Sequence, residues 1–178
     1  MTRAIAKSAF LLIISMGVVG TAQGNPPAGT KPVTVTIKNA DGKTVGTAVL
    51  TEADHGVKLT LDIKSLPPGA HYLHIHQFPK CEAPDFKSAG PHFDPAGMGH
   101  GEHGHAALPA GDIPNFVLTV NADGTAHTSV VSPSVTLGTD KFSVFSNGGT
   151  SIVIHAAAEK VTDAAPPRIA CGVISKPE

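Results

Sequence analysis

Apolar and polar residues alternate with a period of two along several short stretches of the chain. In "VTVTIK" the apolar residues Val33, Val35 and Ile37 share one face. "NADGK" then turns at Asp41 and Gly42, and "TVGTAVLTE" returns as the partner strand, which predicts a hairpin. "VKLTLDI" repeats the pattern with Val57, Leu59, Leu61 and Ile63 after an "ADHG" turn. "LPPGAHYLHIH" is a Pro/Gly break followed by one more strand, and "NFVLTV", "NADG" and "TAHTSVV" make a second hairpin. "KFSVF", "TSIVIHA" and "IACGVI" are three further strands. About eight short antiparallel strands predict an all-β fold, a Greek-key eight-stranded flattened barrel or sandwich of the immunoglobulin-like type. One long stretch, Gln77 to Pro114, has no periodicity. A loop of that length inside a compact domain is usually functional.

Composition agrees with strands joined by turns. The 178 residues are one domain's worth, 41% hydrophobic, with no Trp, one Tyr, 19 Gly and 15 Pro. The first residues stand apart: Arg3 and Lys7 precede the apolar run "AFLLIISMGVVG", and small residues follow at Gly20, Thr21 and Ala22. This is the pattern of a secretory signal peptide over 1–24, with "NPPAGTKP" (25–32) as a flexible tether and 33–178 as the folded domain. The expected location is therefore outside the cytoplasm, periplasmic or extracellular, with no membrane association after cleavage. In an oxidising compartment the even pair Cys81 and Cys171 is most simply a disulfide. Loss of Arg3 and Lys7 leaves 11 basic against 14 acidic residues, a formal charge of −3, which argues against nucleic acid as a partner. The sequence admits a homodimer.

The candidate chemistry lies in histidine. Seven of the ten histidines fall between His71 and His105. His74 and His76 are two apart on a strand, so their imidazoles project from one face and can reach one ion. His71 has the opposite parity and reads as a structural hydrogen-bonding residue. His155 ends the apolar strand "SIVIH", where a histidine needs a reason to replace an aliphatic residue.

The order of short motifs, "LHIH", "KC", "SAGPHFDP", "HG", "AGDIPN", "IVIHA" and "RIACGVI", resembles that of the copper–zinc superoxide dismutases, over the whole chain after the leader. That family is itself an established example of the sandwich architecture, of near-diffusion-limited rates and of electrostatic steering. The resemblance implies that His74, His76 and His155 hold copper and that His92 bridges copper to zinc. It implies that His100 and Asp112 are zinc ligands, that Arg168 guides the anion and that Cys81 and Cys171 form the disulfide. Superoxide is then the substrate, and copper and zinc are the cofactors. An all-imidazole site suits both oxidation states of copper, and a fixed guanidinium attracts an anion.

The sequence also departs from the family pattern. Tyr72 stands where the family has Gly, and Pro109 occupies the position of a zinc-ligating histidine. Proline cannot ligate, so His105 is expected as the substitute fourth zinc ligand, with His103 next. Glu159 stands where an Asp links the copper and zinc histidines. The segment from His155 to Arg168 is shortened.

Two functions are therefore expected in order. The first is a superoxide dismutase cycling Cu(II) and Cu(I) in antioxidant defence, with an altered zinc site or with copper alone. The second is a non-enzymatic exported copper-binding or copper-buffering protein on the same fold, which Arg168 argues against. A histidine-rich tract that merely collects metal would explain His100, His103 and His105 but not the distant His155.

Overall fold

The predicted alternation becomes strand. In the computed structural model, which describes residues 30–99, 108–114, 116–156 and 166–177, β1 spans Val33–Asn39, β2 Thr44–Glu52 and β3 Val57–Ile63. Val33, Val35 and Ile37 of β1, and Val57, Leu59, Leu61 and Ile63 of β3, are all buried. The residues between them stay open to solvent or only partly covered, the signature of a sheet with one face on the core. Each fully buried aliphatic side chain contributes about 1.5–3 kcal/mol through removal from water.

The remaining strands are β4 (Gly69–His71), β5 (Leu73–His76), β6 (Leu118–Val120), β7 (Ala126–Ser132), β8 (Thr150–His155) and β9 (Arg168–Ile174). Seven of them form one antiparallel sheet in the order β5-β8-β9-β1-β2-β3-β7, while β4 and β6 pair in a small second sheet. Each edge strand of the large sheet, β5 and β7, directly follows a strand of the small one. The β4–β6 pair therefore links the two edges, and the large sheet curls into the expected flattened barrel.

Three sequence expectations change. "LPPGAHYLHIH" is two strands, broken at Tyr72, because β4 pairs with β6 and β5 with β8. "NFVLTV" and "TAHTSVV" keep their turn, where the Asn121 N–H donates to Thr125 O at 2.8 Å, but their strands enter different sheets instead of pairing as a hairpin. "KFSVF" is not a strand. Its segment is held by local bonds, Phe142 N–H to Asp140 Oδ1 at 2.8 Å and Ser143 Oγ to Gly138 O at 2.7 Å, and runs into a 3-10 turn at Ser146–Gly148.

β5 and β8 are buried on both faces. Leu73, Ile75, Ile152 and Ile154 enter the main core. Their neighbours on the opposite face lie under the loop that follows β5, where Phe86, Ala89, Val153 and Cys171 form a second apolar cluster with Cys81 packed against it. The Cys81–Cys171 disulfide ties this loop to β9, with Cα atoms 5.6 Å apart across 90 residues of sequence. Residues 1–24 and most of 25–32 lie outside the described residues, so the leader and tether remain expectations from sequence.

Candidate metal centre

The loop-covered face of β5 and β8 is where the histidines meet. His74 and His76 leave β5 on that face, opposite Val153 and Ser151 of β8, and His155 ends β8 on the same face. His92 arrives from the loop, which runs beside β5 through a bridge between His76 and His92. One nitrogen from each of His74, His76, His92 and His155 lies within 4.8 Å of the others. His76, His155 and His74 are 0%, 2% and 6% exposed.

Three main-chain bonds set this convergence. Phe93 N–H donates to Ile75 O at 2.9 Å, Gly111 N–H to Phe93 O at 2.8 Å, and Ile75 N–H to Gly111 O at 2.9 Å. The closed triangle stations His74 and His76 beside Ile75, His92 beside Phe93 and Asp112 beside Gly111. Position 111 must be glycine, since a Cβ there would lie 2.0 Å from Ile75 O.

Two of the imidazoles are also oriented through their outer edge. His76 Nδ1 donates to Gly90 O at 2.9 Å and His155 Nδ1 to Pro166 O at 3.1 Å. A proton fixed on Nδ1 leaves Nε2 as a lone pair, and His76 Nε2 and His155 Nε2 are buried with no hydrogen-bond partner. Buried acceptors without partners are costly unless they meet a ligand, so these atoms fit a copper ion held by neutral imidazoles. Burial lowers the pKa of His76 to about 3, opposed by the Gly90 bond and aided by nearby His92, Arg168 and His155. Burial likewise lowers that of His155. Both favour the neutral, metal-ready form. His71 Nδ1 bonds His155 O and its Nε2 bonds Pro67 O, each at 2.8 Å, so it braces the main chain of a cluster histidine and supplies no donor to the cluster.

The zinc candidates are arranged differently. His92 Nδ1 and Asp112 Oδ1 are in direct contact at 2.5 Å, and Pro109, which accepts the Asp112 N–H at 3.0 Å, offers no metal donor. Of the expected zinc donors, His92 and Asp112 are among the described residues, and they lie side by side. His100, His103, His105 and Glu159 lie outside the described residues.

Arg168 opens β9 beside His155. Its Nη1 donates to Phe86 O and its Nη2 to Gly90 O, each at 2.8 Å, which fixes a half-buried cation against the metal-site loop. Burial lowers its pKa from the usual value and Asp85 opposes that shift.

A family profile described as copper/zinc superoxide dismutase matches residues 44–174. The chain belongs to the copper/zinc superoxide dismutase family. A superoxide dismutase [Cu-Zn] from Caulobacter vibrioides is 40% identical over 148 residues, covering 79% of this chain and 84% of that one. Among solved structures, a SOD-like protein from Bacillus subtilis has a TM-score of 0.72 at 30% identity, covering 83% of this chain and 99% of that one. The Cu/Zn superoxide dismutase from Brucella abortus has a TM-score of 0.64 at 30% identity, covering 82% and 100%. Copper and zinc are the cofactors of the copper/zinc superoxide dismutase family, and the four-histidine cluster is where this member can hold a metal ion.

Sequence reasoning missed Gly90 and Gly111 as parts of the site. The only local signal was their place, each one or two residues before a candidate ligand in "AGPH" and "AGDI".

Proposed function

We propose that this protein is an exported superoxide dismutase, with 33–178 as its folded domain and copper held by His74, His76, His92 and His155. The observation that carries the reading is the cluster itself, four imidazoles with two buried Nε2 atoms left for a ligand. Bound copper supplies one-electron chemistry, so that one superoxide leaves as O2 and a second, taking up two protons, leaves as H2O2. The chain's own residues do the rest. Gly90 and Pro166 hold the protons of His76 and His155 on Nδ1, keeping Nε2 basic toward the metal. Arg168 presents a fixed cation that draws and hydrogen-bonds an anion. Asp112 touches His92 at Nδ1 and helps to orient its ring. Among the described residues no helix is long and apolar enough to cross a membrane. A homodimer is compatible with this reading.

Copper analysis and a superoxide-consumption assay on the copper-loaded protein test the proposal together. One copper per chain with catalytic consumption is expected. Full copper loading with no consumption would instead make the protein a copper-buffering member of the family.

A further inference from the structure

Tyr72 lies against the metal-site histidines without offering a donor to the cluster. We propose that Tyr72 is a positioning residue, which stacks its ring on the imidazole of His74 and so fixes the tilt of that ligand for the metal. The inference rests on the copper reading above and adds a wall to the site at a position where the family pattern has Gly.

The Tyr72 and His74 rings are parallel to within 18°, with centroids 6.0 Å apart, inside the range of about 4.5–7 Å that offset-stacked aromatic pairs occupy. Residues two apart along a strand share a face, so Tyr72, His74 and His76 form one row. Exposure falls along it, from half-buried Tyr72 through His74 at 6% to His76 at 0%, which makes the phenol ring the outermost of the three. The main chain holds that ring in place. Tyr72 O accepts the His155 N–H at 2.9 Å, and the side chain of the preceding His71 bonds His155 O, so residues 71 and 72 engage both main-chain polar groups of His155. Paired strand lies on either side, β4 against β6 and β5 against β8. The ring that meets His74 is thus carried on a backbone already fixed to a second histidine of the cluster. A hydrogen bond at the edge of an imidazole, as at His76 and His155, sets where its nitrogens point. A flat ring against the face of His74 limits its tilt instead, and a ligand held in its binding rotamer loses less entropy when the ion arrives.

The chain has one Tyr and no Trp, so its tyrosine fluorescence reports Tyr72 alone. Cu(II) added to metal-free wild type should quench that emission, with the end point at one copper per chain. Wild type, Tyr72→Phe, Tyr72→Leu and Tyr72→Ala are then titrated with Cu(II) against a competing chelator. Tyr72→Phe keeps the ring and should match wild type, whereas Tyr72→Ala should bind copper about threefold to tenfold more weakly, the range that one aromatic pair supplies. Tyr72→Leu fills the same flank without a flat ring and should resemble Tyr72→Ala, and it decides the matter if the alanine variant does not fold. In NMR spectra of the metal-free proteins, the His74 imidazole lines should be sharp in wild type and Tyr72→Phe and broadened in the other two, while the rest of the spectrum stays native. Equal copper affinity in wild type, Tyr72→Leu and Tyr72→Ala would overturn the proposal, as would sharp His74 lines in all four or an emission that copper leaves unchanged. A loss shared by Tyr72→Phe would overturn it too, by assigning the effect to the hydroxyl. Failure of wild type to bind copper would remove the copper reading, an outcome that the wild-type titration identifies alone, while the His74 lines still decide whether Tyr72 orders that ring.

Discussion

Arg168 and His76 share one hydrogen-bond acceptor, the carbonyl oxygen of Gly90, which lies 2.8 Å from Nη2 of the arginine and 2.9 Å from Nδ1 of the histidine. The second arginine bond goes to Phe86 O, so the guanidinium spans both ends of the 3-10 turn Lys87–Ala89. In the proposed reading, the cation that would draw the substrate and an imidazole that would hold the metal are thereby referenced to a single peptide group. A shift of that peptide moves both.

Arg168 should act on rate and leave copper in place. Arg168→Ala is expected to lower the second-order rate of superoxide decay about tenfold or more, with copper content unchanged. Arg168→Lys keeps a charge but cannot fork onto two carbonyls, so its rate should fall between the two. Added salt should slow wild type by screening the cation and have little effect on Arg168→Ala. Stopped-flow decay measured alongside metal analysis checks this, and a rate indifferent to residue 168 would contradict it.

Gly90→Ala should disturb rate and copper affinity together. Gly90 has φ +77°, and a Cβ there would lie 2.5 Å from the Phe78 ring. Strain of this kind costs on the order of 1–3 kcal/mol, and relief through the main chain would displace the shared carbonyl. The expected result is weaker Cu(II) binding, slower superoxide decay and a lower Tm. Loss of rate with unchanged copper affinity would show that Arg168 alone depends on this peptide.

The disulfide should stabilise the fold and the same loop. Joining Cys81 to Cys171 closes 90 residues, worth about 4–5 kcal/mol by loop entropy. Metal-free Cys81→Ala/Cys171→Ala should unfold at clearly lower denaturant, with a lower midpoint and a slope equal or steeper, because the uncrosslinked denatured chain is less compact. An unchanged midpoint would mean that the second apolar cluster holds the loop unaided.

Much of this was open to reading because period-two alternation is a direct consequence of one-sided burial, and β1, β2 and β3 follow it. It also put His74 and His76 on one face. Alternation fails where both faces are buried or where neither packing nor pairing is local. "LHIH" and "TSIVIH" carry the same burial at every position, so their partners had to come from the fold. The split at Tyr72 and the parting of β6 from β7 are decided by barrel closure, a long-range requirement with no local mark. The Gly90 and Gly111 contacts are main-chain bonds between segments distant in sequence, and no side-chain pattern announces them. The direct His92–Asp112 contact was equally hidden, since the resemblance offers both residues as ligands without setting the distance between them.

The buried imidazoles predict how the metal-free protein responds to acid. His76 has a folded pKa of about 3 against a usual 6.5, so the folded chain binds fewer protons than the unfolded chain between those values. The stability linked to its neutral form is fully present above about pH 6.5 and is lost as pH falls toward 3, at a limiting slope of about 1.4 kcal/mol per pH unit. His155 shifts in the same direction and steepens the fall. Asp85, Asp94, Asp123 and Asp140 are also held below their usual value, but such carboxylates add to acid sensitivity only below about pH 5. Denaturant unfolding of metal-free protein from pH 7 to pH 5 therefore isolates the histidines. His76→Gln should flatten the profile in this window, and copper loading should make the loss coincide with proton-driven metal release. A stability that stays level from pH 7 to pH 5 in the metal-free wild type would mean that the imidazoles are solvated, and the metal centre would then not be preformed.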